Sequence, residues 1–283
     1  MAARRRRNRI LIALVVLAVA AGGIGLLASG LVALDGTRTV RSSDEGTTTS
    51  VATTAAPATT EATTTTTSTT TTVPTTTTTE PAAADGTLEL GESGPEVQHL
   101  QARLSDRGFW LGTPDGRYGQ LTRQAVMAFQ KAHGLGRDGV AGPATLAALD
   151  TAGPVVPREP GGNHLEIDLA RQILIVVEGG APKWVLNTST GNGEAYANPG
   201  GGTGVATTPP GSFTITREID GLREAPLGTL YRPKYFNGGI AIHGSGSIPA
   251  YPASHGCARL TNAAMDLLWG SGLAAVGTPV LVY

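Results

Sequence analysis

A threonine-rich tract in the first third of the chain limits what the rest can fold into. Residues 46–86 are mostly threonine, with alanine, proline and a few glutamates. Such a stretch has almost no apolar surface to bury, so it cannot offset the entropy lost on ordering. We therefore predict a disordered tether over residues 35–86. Its threonine and proline content suits O-glycosylation, and a plain spacer is the alternative.

The chain before this tether has the pattern of an export segment. An arginine cluster at residues 4–9 precedes residues 10–34, which contain no charged residue. About 20 apolar residues span a bilayer as a helix, and a basic flank tends to stay in the cytoplasm. We expect residues 1–34 to be a basic cytoplasmic segment and a transmembrane anchor that places the rest outside. The alternative is a cleaved signal peptide and a secreted protein.

The charge and the cysteine content exclude some classes of protein. The formal net charge is −1, so no overall basic field favours nucleic-acid binding. Cys257 is the single cysteine and cannot close an intramolecular disulfide. The exported domains must then be held together by their cores, although exported domains often carry disulfides. The thiol is an inert core residue, an intermolecular bridge, a metal ligand or a nucleophile, and the oligomeric state is open.

Residues 88–150 show the apolar spacing of helices. The first helix follows the run from Ser93 to Glu96, which resembles an N-cap with proline in the first turn. A second helix is expected to open at Thr122, and a third, short one to run from Pro143 to Leu149. The pattern predicts a small three-helix bundle.

An internal near-repeat marks the turns of this bundle. The pattern Asp-Gly-x-x-Gly-x-x-Thr begins at Asp115 and again at Asp138, and each copy is expected to cap the helix after it. With the Phe129-Gln130 pair, the series resembles the peptidoglycan-binding domain family of three-helix modules. The resemblance implies wall binding, whereas the residues by themselves support only a packed bundle.

The pattern changes after a Pro/Gly-rich linker at residues 154–162. From Leu165 to Ala170 apolar and polar or small residues alternate, and Ile173–Val177 is a continuous apolar run fit for a buried strand. Further strands are expected at residues 184–190, 212–216, 239–242 and 279–283, and one helix at residues 262–269. Residues 163–283 are therefore predicted to form a mainly β domain. His243 lies at a strand end in this reading, and Cys257 lies on a loop before the helix.

The chemistry-bearing residues lie between His243 and Arg259. A thiol nucleophile needs a base to take its proton and donors for the oxyanion that its attack creates. His243 follows an apolar strand, which suits an oriented base. The backbone N–H groups of Gly256 and Cys257 can point to one place, and Arg259 can bind a substrate carboxylate or tie the loop down.

Three other interpretations of these residues stay open. His243, His255 and Cys257 are acceptable zinc ligands, but their spacing lacks the usual closed four-ligand pattern. His255 could instead hold the loop by donating to backbone carbonyls. The whole domain could also be non-catalytic.

The same residues carry a second resemblance. His243 followed by the run from Ser254 to Arg259 is similar to the signature of the L,D-transpeptidase (YkuD-type) catalytic domain. Thr208-Pro209-Pro210-Gly211 resembles that family's substrate-side loop. One departure is that only residues 244–253 separate the histidine from the serine, a shorter spacer than usual.

The resemblance implies a complete reaction without metal or cofactor. Cys257 would be the acyl-accepting nucleophile, His243 the general base and Gly244 the residue whose carbonyl orients that base. The backbone of His255, Gly256 and Cys257 would form the oxyanion hole. The candidate substrate-binding residues are Arg259, Ser254, Tyr231 and Tyr235.

The implied partners are the peptide stems of the cell wall. A tetrapeptide stem would be cleaved after its third residue, a diamino acid, and joined to a neighbouring stem as a 3→3 crosslink. Water in place of the amine would make the enzyme an L,D-carboxypeptidase. An inactive wall-binding anchor is the third possibility, and the short spacer is its one support.

Overall fold

The computed structural model describes residues 86–283, so the predicted anchor and almost all of the predicted tether lie outside the described residues. Within that range no helix is both long and apolar enough to cross a membrane. The four helices of the range are α1 (Pro95–Asp106), α2 (Gln120–Ala132), α3 (Pro143–Thr151) and α4 (Asn262–Ser271). Its strands are β1 (His164–Asp168), β2 (Ile173–Glu178), β3 (Ala181–Asn187), β4 (Ala195–Ala197), β5 (Thr203–Val205), β6 (Gly211–Thr214), β7 (Arg217–Glu218), β8 (Leu222–Ala225), β9 (Gly228–Asn237), β10 (Ile240–Gly244), β11 (Ala258–Leu260) and β12 (Pro279–Val282).

The first helix starts within the predicted run, whereas the second starts earlier than predicted. Gly94 is the N-cap of α1 and no side chain caps the helix, although Pro95 occupies the first turn as expected. Helix α2 begins at Gln120 after the N-cap Gly119, two residues before Thr122. Thr122 is buried, and it stabilises the turn before the helix instead of capping the helix.

A glutamine side chain organises each copy of the Asp-Gly repeat. Gln101 Nε2 donates to Asp115 Oδ1 and to Thr122 Oγ1, each at 2.9 Å, and Gln101 Oε1 accepts the N–H groups of the same turn. Gln130 makes the matching bonds in the second copy, with 2.7 Å to Asp138 Oδ1. Because each amide satisfies several buried polar groups, these bonds fix the turns of the bundle.

The strands form two five-stranded sheets and a small hairpin. The first sheet has the order β3-β2-β1-β12-β6, in which β1 and β12 are parallel. The second has the order β11-β10-β9-β7 with β8 also paired to β9, and β10 and β11 are parallel. Strands β4 and β5 form the separate hairpin.

Strand β2 is buried on both faces. Ile173, Ile175 and Val177 share a core with the three-helix bundle. Leu174 and Val176 share a second core with β10, β11 and α4. The apolar run is continuous because the bundle covers one side of the first sheet and the second sheet and α4 cover the other.

The predicted alternation in β1 needs correction, and the segment before β1 has contacts to the sheet that were not predicted. All five residues of β1 are buried, including Glu166 and Asp168. Glu166 accepts the backbone N–H groups of Arg158 and Glu159, each at 2.8 Å, so the segment before β1 is fastened to the sheet. A buried carboxylate is tolerated there because hydrogen bonds replace its lost hydration.

Lys131 joins the bundle to the sheets. This α2 residue is buried, and its ammonium donates to the carbonyl oxygens of Thr188 (2.9 Å) and Gln172 (3.1 Å) and to Asn187 Oδ1. The bundle and the β domain are therefore packed as one unit over the described residues.

Candidate active site

Strand pairing brings the two ends of the chemistry-bearing segment together. Strands β10 and β11 run parallel, and His243 is in register with Arg259. Cys257 directly precedes β11, so a short strand lies between it and α4, where only a loop had been predicted. The short spacer of residues 244–253 therefore leaves the histidine and the cysteine loop side by side.

The hydrogen bond of His243 determines which of its nitrogens is a base. His243 is buried, and its Nδ1 lies 2.9 Å from the carbonyl oxygen of Gly244. A carbonyl can only accept, so Nδ1 carries the proton and Nε2 of the neutral ring keeps its lone pair. Burial lowers the pKa of His243, and the positive charge of Arg259 adds to that, while the bond to Gly244 opposes it. The ring is therefore neutral at pH 7, with the lone pair of Nε2 free to accept a proton.

The thiol of Cys257 is also held in its neutral form. Burial raises the pKa of Cys257, although the N–H of Ala241, which lies 3.4 Å from Sγ, and the charge of Arg259 oppose the rise. Both groups line the same cavity, where a thiol can pass its proton to a neutral imidazole when a substrate arrives.

The loop before the thiol is tied together by its own side chains. Ser254 Oγ donates to the carbonyl oxygen of Cys257 at 2.5 Å and accepts the N–H of Gly256 at 3.0 Å. Thr208 Oγ1 donates to the carbonyl oxygen of Gly256 at 2.6 Å. Together these hydrogen bonds fix the backbone of Gly256 and Cys257.

Gly256 is required by the shape of this loop. Its φ is +135°, and a Cβ atom there would lie 2.8 Å from the carbonyl oxygen of Thr207. Any other residue would be strained and would collide with backbone. Because the N–H of Gly256 is already donated to Ser254, a substrate oxygen could use it only by breaking that bond, which departs from the predicted oxyanion hole. The N–H groups of His255 and Cys257 stay as candidates.

A cavity of about 720 Å³ opens in front of these residues. The β4–β5 and β8–β9 hairpins contribute two of its walls, and the loop around Cys257 contributes another. The predicted site residues on its lining are His243, Ser254, His255, Cys257, Arg259 and Tyr235. The cavity has the size of a small-molecule or peptide site.

Two family models match the chain in order. The model of a peptidoglycan binding domain covers residues 93–149, and that of the L,D-transpeptidase catalytic domain covers residues 162–282. The crystal structure of an L,D-transpeptidase from Xylanimonas cellulosilytica is 51% identical, with a TM-score of 0.68, over 72% of this chain and 100% of that chain. The chain belongs to the L,D-transpeptidase family.

Curated relatives match a shorter part of the chain. The N-acetylmuramoyl-L-alanine amidase CwlM of Mycobacterium tuberculosis is 48% identical over 56 residues, which are 20% of this chain and 14% of CwlM. The zinc D-Ala-D-Ala carboxypeptidase of Streptomyces albus G is 47% identical over 64 residues, 22% of this chain and 25% of that protein. The chain thus spans a quarter or less of the length of these two relatives.

Other predicted site residues have different surroundings. Tyr231 is not part of the cavity lining. It packs behind Gly244, where a Cβ atom would lie 2.8 Å from its ring, and its hydroxyl donates to Asp266 Oδ1 at 2.8 Å. The ring of His255 is exposed and meets the ring of Tyr196 edge to face, with centroids 4.9 Å apart.

Sequence patterns gave no role to several residues of the site. Thr208 was noted only within a resembling motif, yet it bonds both the loop of Cys257 and the N–H of Gly191. Tyr196, Arg217 and Arg223 line the cavity. They lie on short strands whose placement depends on contacts distant in sequence, so no local signal identifies them. Among residues 86–283 no group of three or more His, Cys, Asp or Glu side chains could hold a metal ion.

Proposed function

We propose that the protein is a membrane-tethered, wall-facing L,D-transpeptidase that forms 3→3 crosslinks through a cysteine acyl-enzyme. The observation that carries this proposal is that Cys257 and His243 line one cavity, with the proton of His243 fixed on Nδ1 by Gly244. The peptidoglycan-binding bundle supports the same substrate class.

The first half of the reaction makes a thioester. Nε2 of His243 accepts the proton of the Cys257 thiol as Sγ attacks the carbonyl carbon of the third residue of a tetrapeptide stem. Backbone N–H groups of the cysteine loop stabilise the oxyanion. The C–N bond to the terminal D-alanine then breaks, and the imidazolium gives its proton to the leaving amine.

The second half passes the acyl group to an acceptor. A side-chain amine of a neighbouring stem attacks the thioester carbon and loses a proton to Nε2. The new amide is the 3→3 crosslink, and the thiolate leaves and takes that proton back. Arg259 binds a stem carboxylate next to the nucleophile.

Purified full-length protein incubated with a disaccharide-tetrapeptide tests the chemistry. We expect a crosslinked dimer with release of D-alanine, and a covalent carbapenem adduct at Cys257 in the intact mass. Product that contains only hydrolysed stem would identify a carboxypeptidase, and a protein that makes neither product nor adduct would be an inactive anchor. Cys257→Ala should lose both signals, whereas Ser247→Ala, on a neighbouring exposed loop, should keep them. Dimer formation by the alanine variant would contradict the mechanism.

The proposed orientation has its own test. Because Cys257 is the single cysteine, a membrane-impermeant thiol reagent applied to intact cells reports on one site. We expect labelled protein in the membrane fraction. Labelling only after lysis would place the domain on the cytoplasmic side of the membrane. Labelled protein in the medium would indicate a cleaved, secreted form.

A further inference from the structure

Three guanidinium groups line the cavity without an acidic partner. They belong to Arg217, Arg223 and Arg259, and no Asp or Glu is among the lining residues. Within residues 86–283 none of the three has a carboxylate oxygen within 4.0 Å. Arg232, which is not part of the lining, is by contrast paired with two aspartates, each at 2.7 Å.

The three side chains reach the cavity from different elements. Arg259 lies in β11, two residues after the nucleophile, and Arg217 lies in β7. The guanidinium of Arg217 lies 3.6 Å from the centre of the Tyr235 ring, and such a contact orients a guanidinium without neutralising it. Arg223 lies in β8 of the β8–β9 hairpin, and among the described residues its side chain has no hydrogen bond or ion pair.

A cavity with this charge favours an anionic ligand. The positive fields of the three guanidinium groups add in the cavity, because no carboxylate in the lining cancels them. A carboxylate gains two parallel charge-assisted bonds from a guanidinium, whereas a primary amide offers one neutral acceptor and brings N–H groups that the guanidinium cannot accept. The two ligands therefore differ in charge and in the number of hydrogen bonds that a guanidinium can donate to them.

We infer that the cavity distinguishes donor stems by the side-chain carboxyl group of the third residue, and that it prefers the free carboxylate to the primary amide. Arg217 and Arg223 are the specificity-determining residues, and Arg259 serves the carboxylate nearest the cleaved bond. This inference rests on the proposed transpeptidase function and names the form of its substrate.

The test compares two donor tetrapeptides that differ only in the side-chain carboxyl group of the third residue, as free acid and as primary amide. Full-length protein should use the acid with a kcat/KM about tenfold or more higher, since each charge-assisted contact contributes on that order. The ratio should fall as salt is raised, because Arg217 and Arg223 are exposed and their charges are screened.

Arginine variants locate the source of the preference. Arg217→Gln and Arg223→Gln should each lower the acid-to-amide ratio, with a larger loss on the acid than on the amide. Arg158→Gln is the matched control: it removes one exposed charge that stacks on Tyr283 outside the cavity, and it should leave the ratio unchanged. Equal use of both donors, or a ratio that survives both cavity variants, overturns the inference and leaves the transpeptidase intact. Failure to process either donor, with no adduct at Cys257, overturns the proposed function and the inference with it.

Discussion

Cys257 and His243 are each held in the neutral form. Burial is the main cause on both sides: it lowers the pKa of the imidazole and raises that of the thiol. Arg259 favours the thiolate and disfavours the imidazolium, yet it does not outweigh burial of the thiol. The resting enzyme therefore carries a thiol and a base, and the proton moves only when the substrate is in place.

Alkylation of Cys257 by iodoacetamide as a function of pH measures this state. The reagent reacts with the thiolate, and the ordinary pKa of a cysteine thiol is 9.0. Because the pKa of Cys257 is higher, the alkylation rate should still be rising at pH 9. A short cysteine peptide run in parallel gives the unperturbed curve and should reach its half-maximum at lower pH. A plateau that is already reached near pH 6 would indicate a thiolate–imidazolium pair and would contradict the neutral resting state.

At the scale of elements, two segments hold the cysteine loop between them. From one side Thr188 Oγ1 donates to the carbonyl oxygen of Arg259, and the carbonyl oxygen of Thr190 accepts the N–H of Ser254, each at 2.9 Å. From the other side Thr208 reaches the carbonyl oxygen of Gly256. The nucleophile is thus positioned by residues that are not part of the cavity lining, as supporting hydrogen bonds do in other sites.

Thr208→Val isolates one of these supports at nearly constant volume. The change leaves the carbonyl of Gly256 without its donor and the N–H of Gly191 without its acceptor. We expect the free energy of unfolding to fall by about 1–3 kcal/mol, the usual cost of an unsatisfied buried group. The rate of carbapenem acylation should fall as well, because the loop loses its fixed geometry. Chemical denaturation and stopped-flow kinetics measure the two effects.

Thr214→Val is the control for the threonine change. Thr214 is exposed in β6, a strand in which valine is readily accommodated. The Thr214→Val variant should retain the wild-type free energy of unfolding and the wild-type rate of carbapenem acylation. If Thr208→Val behaves like this control, the hydroxyl does not position the loop.

Local sequence patterns predicted the helices and strands that depend mainly on interactions between residues close in sequence. The helices follow from apolar spacing, and the Ile173–Val177 run predicted β2 because a strand buried on both faces has no polar side. Polar residues with distant partners were not predictable in the same way. Glu166 was expected on the polar side of β1, yet it is buried because the backbone of residues 158–159 supplies its donors.

The candidate site likewise contains some features that could be predicted from the sequence and others that could not. Cys257 and His243 were predictable because residue type and near spacing carry the chemistry. The commitment of the Gly256 N–H to Ser254 was not, since it depends on the exact loop conformation. Arg217 and Arg223 lie on strands that form only when the second sheet does, so their meeting at one cavity has no local signature.

At the scale of the whole molecule, the bundle and the β domain are expected to unfold together. They share the core that includes Ile173, Ile175 and Val177, and Lys131 crosses between them. A family of wall-binding modules would by itself suggest an independent domain on a linker. Here the helix that carries Lys131 instead supports the segment 187–190, which in turn supports the cysteine loop.

Lys131→Met tests this coupling through the pH dependence of stability. Burial lowers the pKa of Lys131 to about 7, and the charge of Arg137 contributes. The ordinary pKa of a lysine, which applies to the unfolded chain, is 10.5. Between pH 7 and pH 10.5 the unfolded chain therefore holds a proton on Lys131 that the folded protein has lost, and the wild-type free energy of unfolding rises with pH. Methionine binds no proton and leaves the acceptors on Thr188 and Asn187 unpaired, which costs about 1–3 kcal/mol. The deficit of the variant should therefore be larger at pH 9 than at pH 6.

Urea denaturation at several pH values, followed by far-UV circular dichroism and tryptophan fluorescence, measures this deficit. We expect one coincident transition in the wild type, because both modules contribute to a shared core. Lys183→Met provides the control, since that half-exposed lysine pairs with Glu178 at the surface and should change stability little at any pH. Two separate transitions in the wild type would show that the modules fold independently. A deficit of Lys131→Met that stays constant from pH 6 to pH 9 would show that the buried amine keeps its proton, held by its three acceptors.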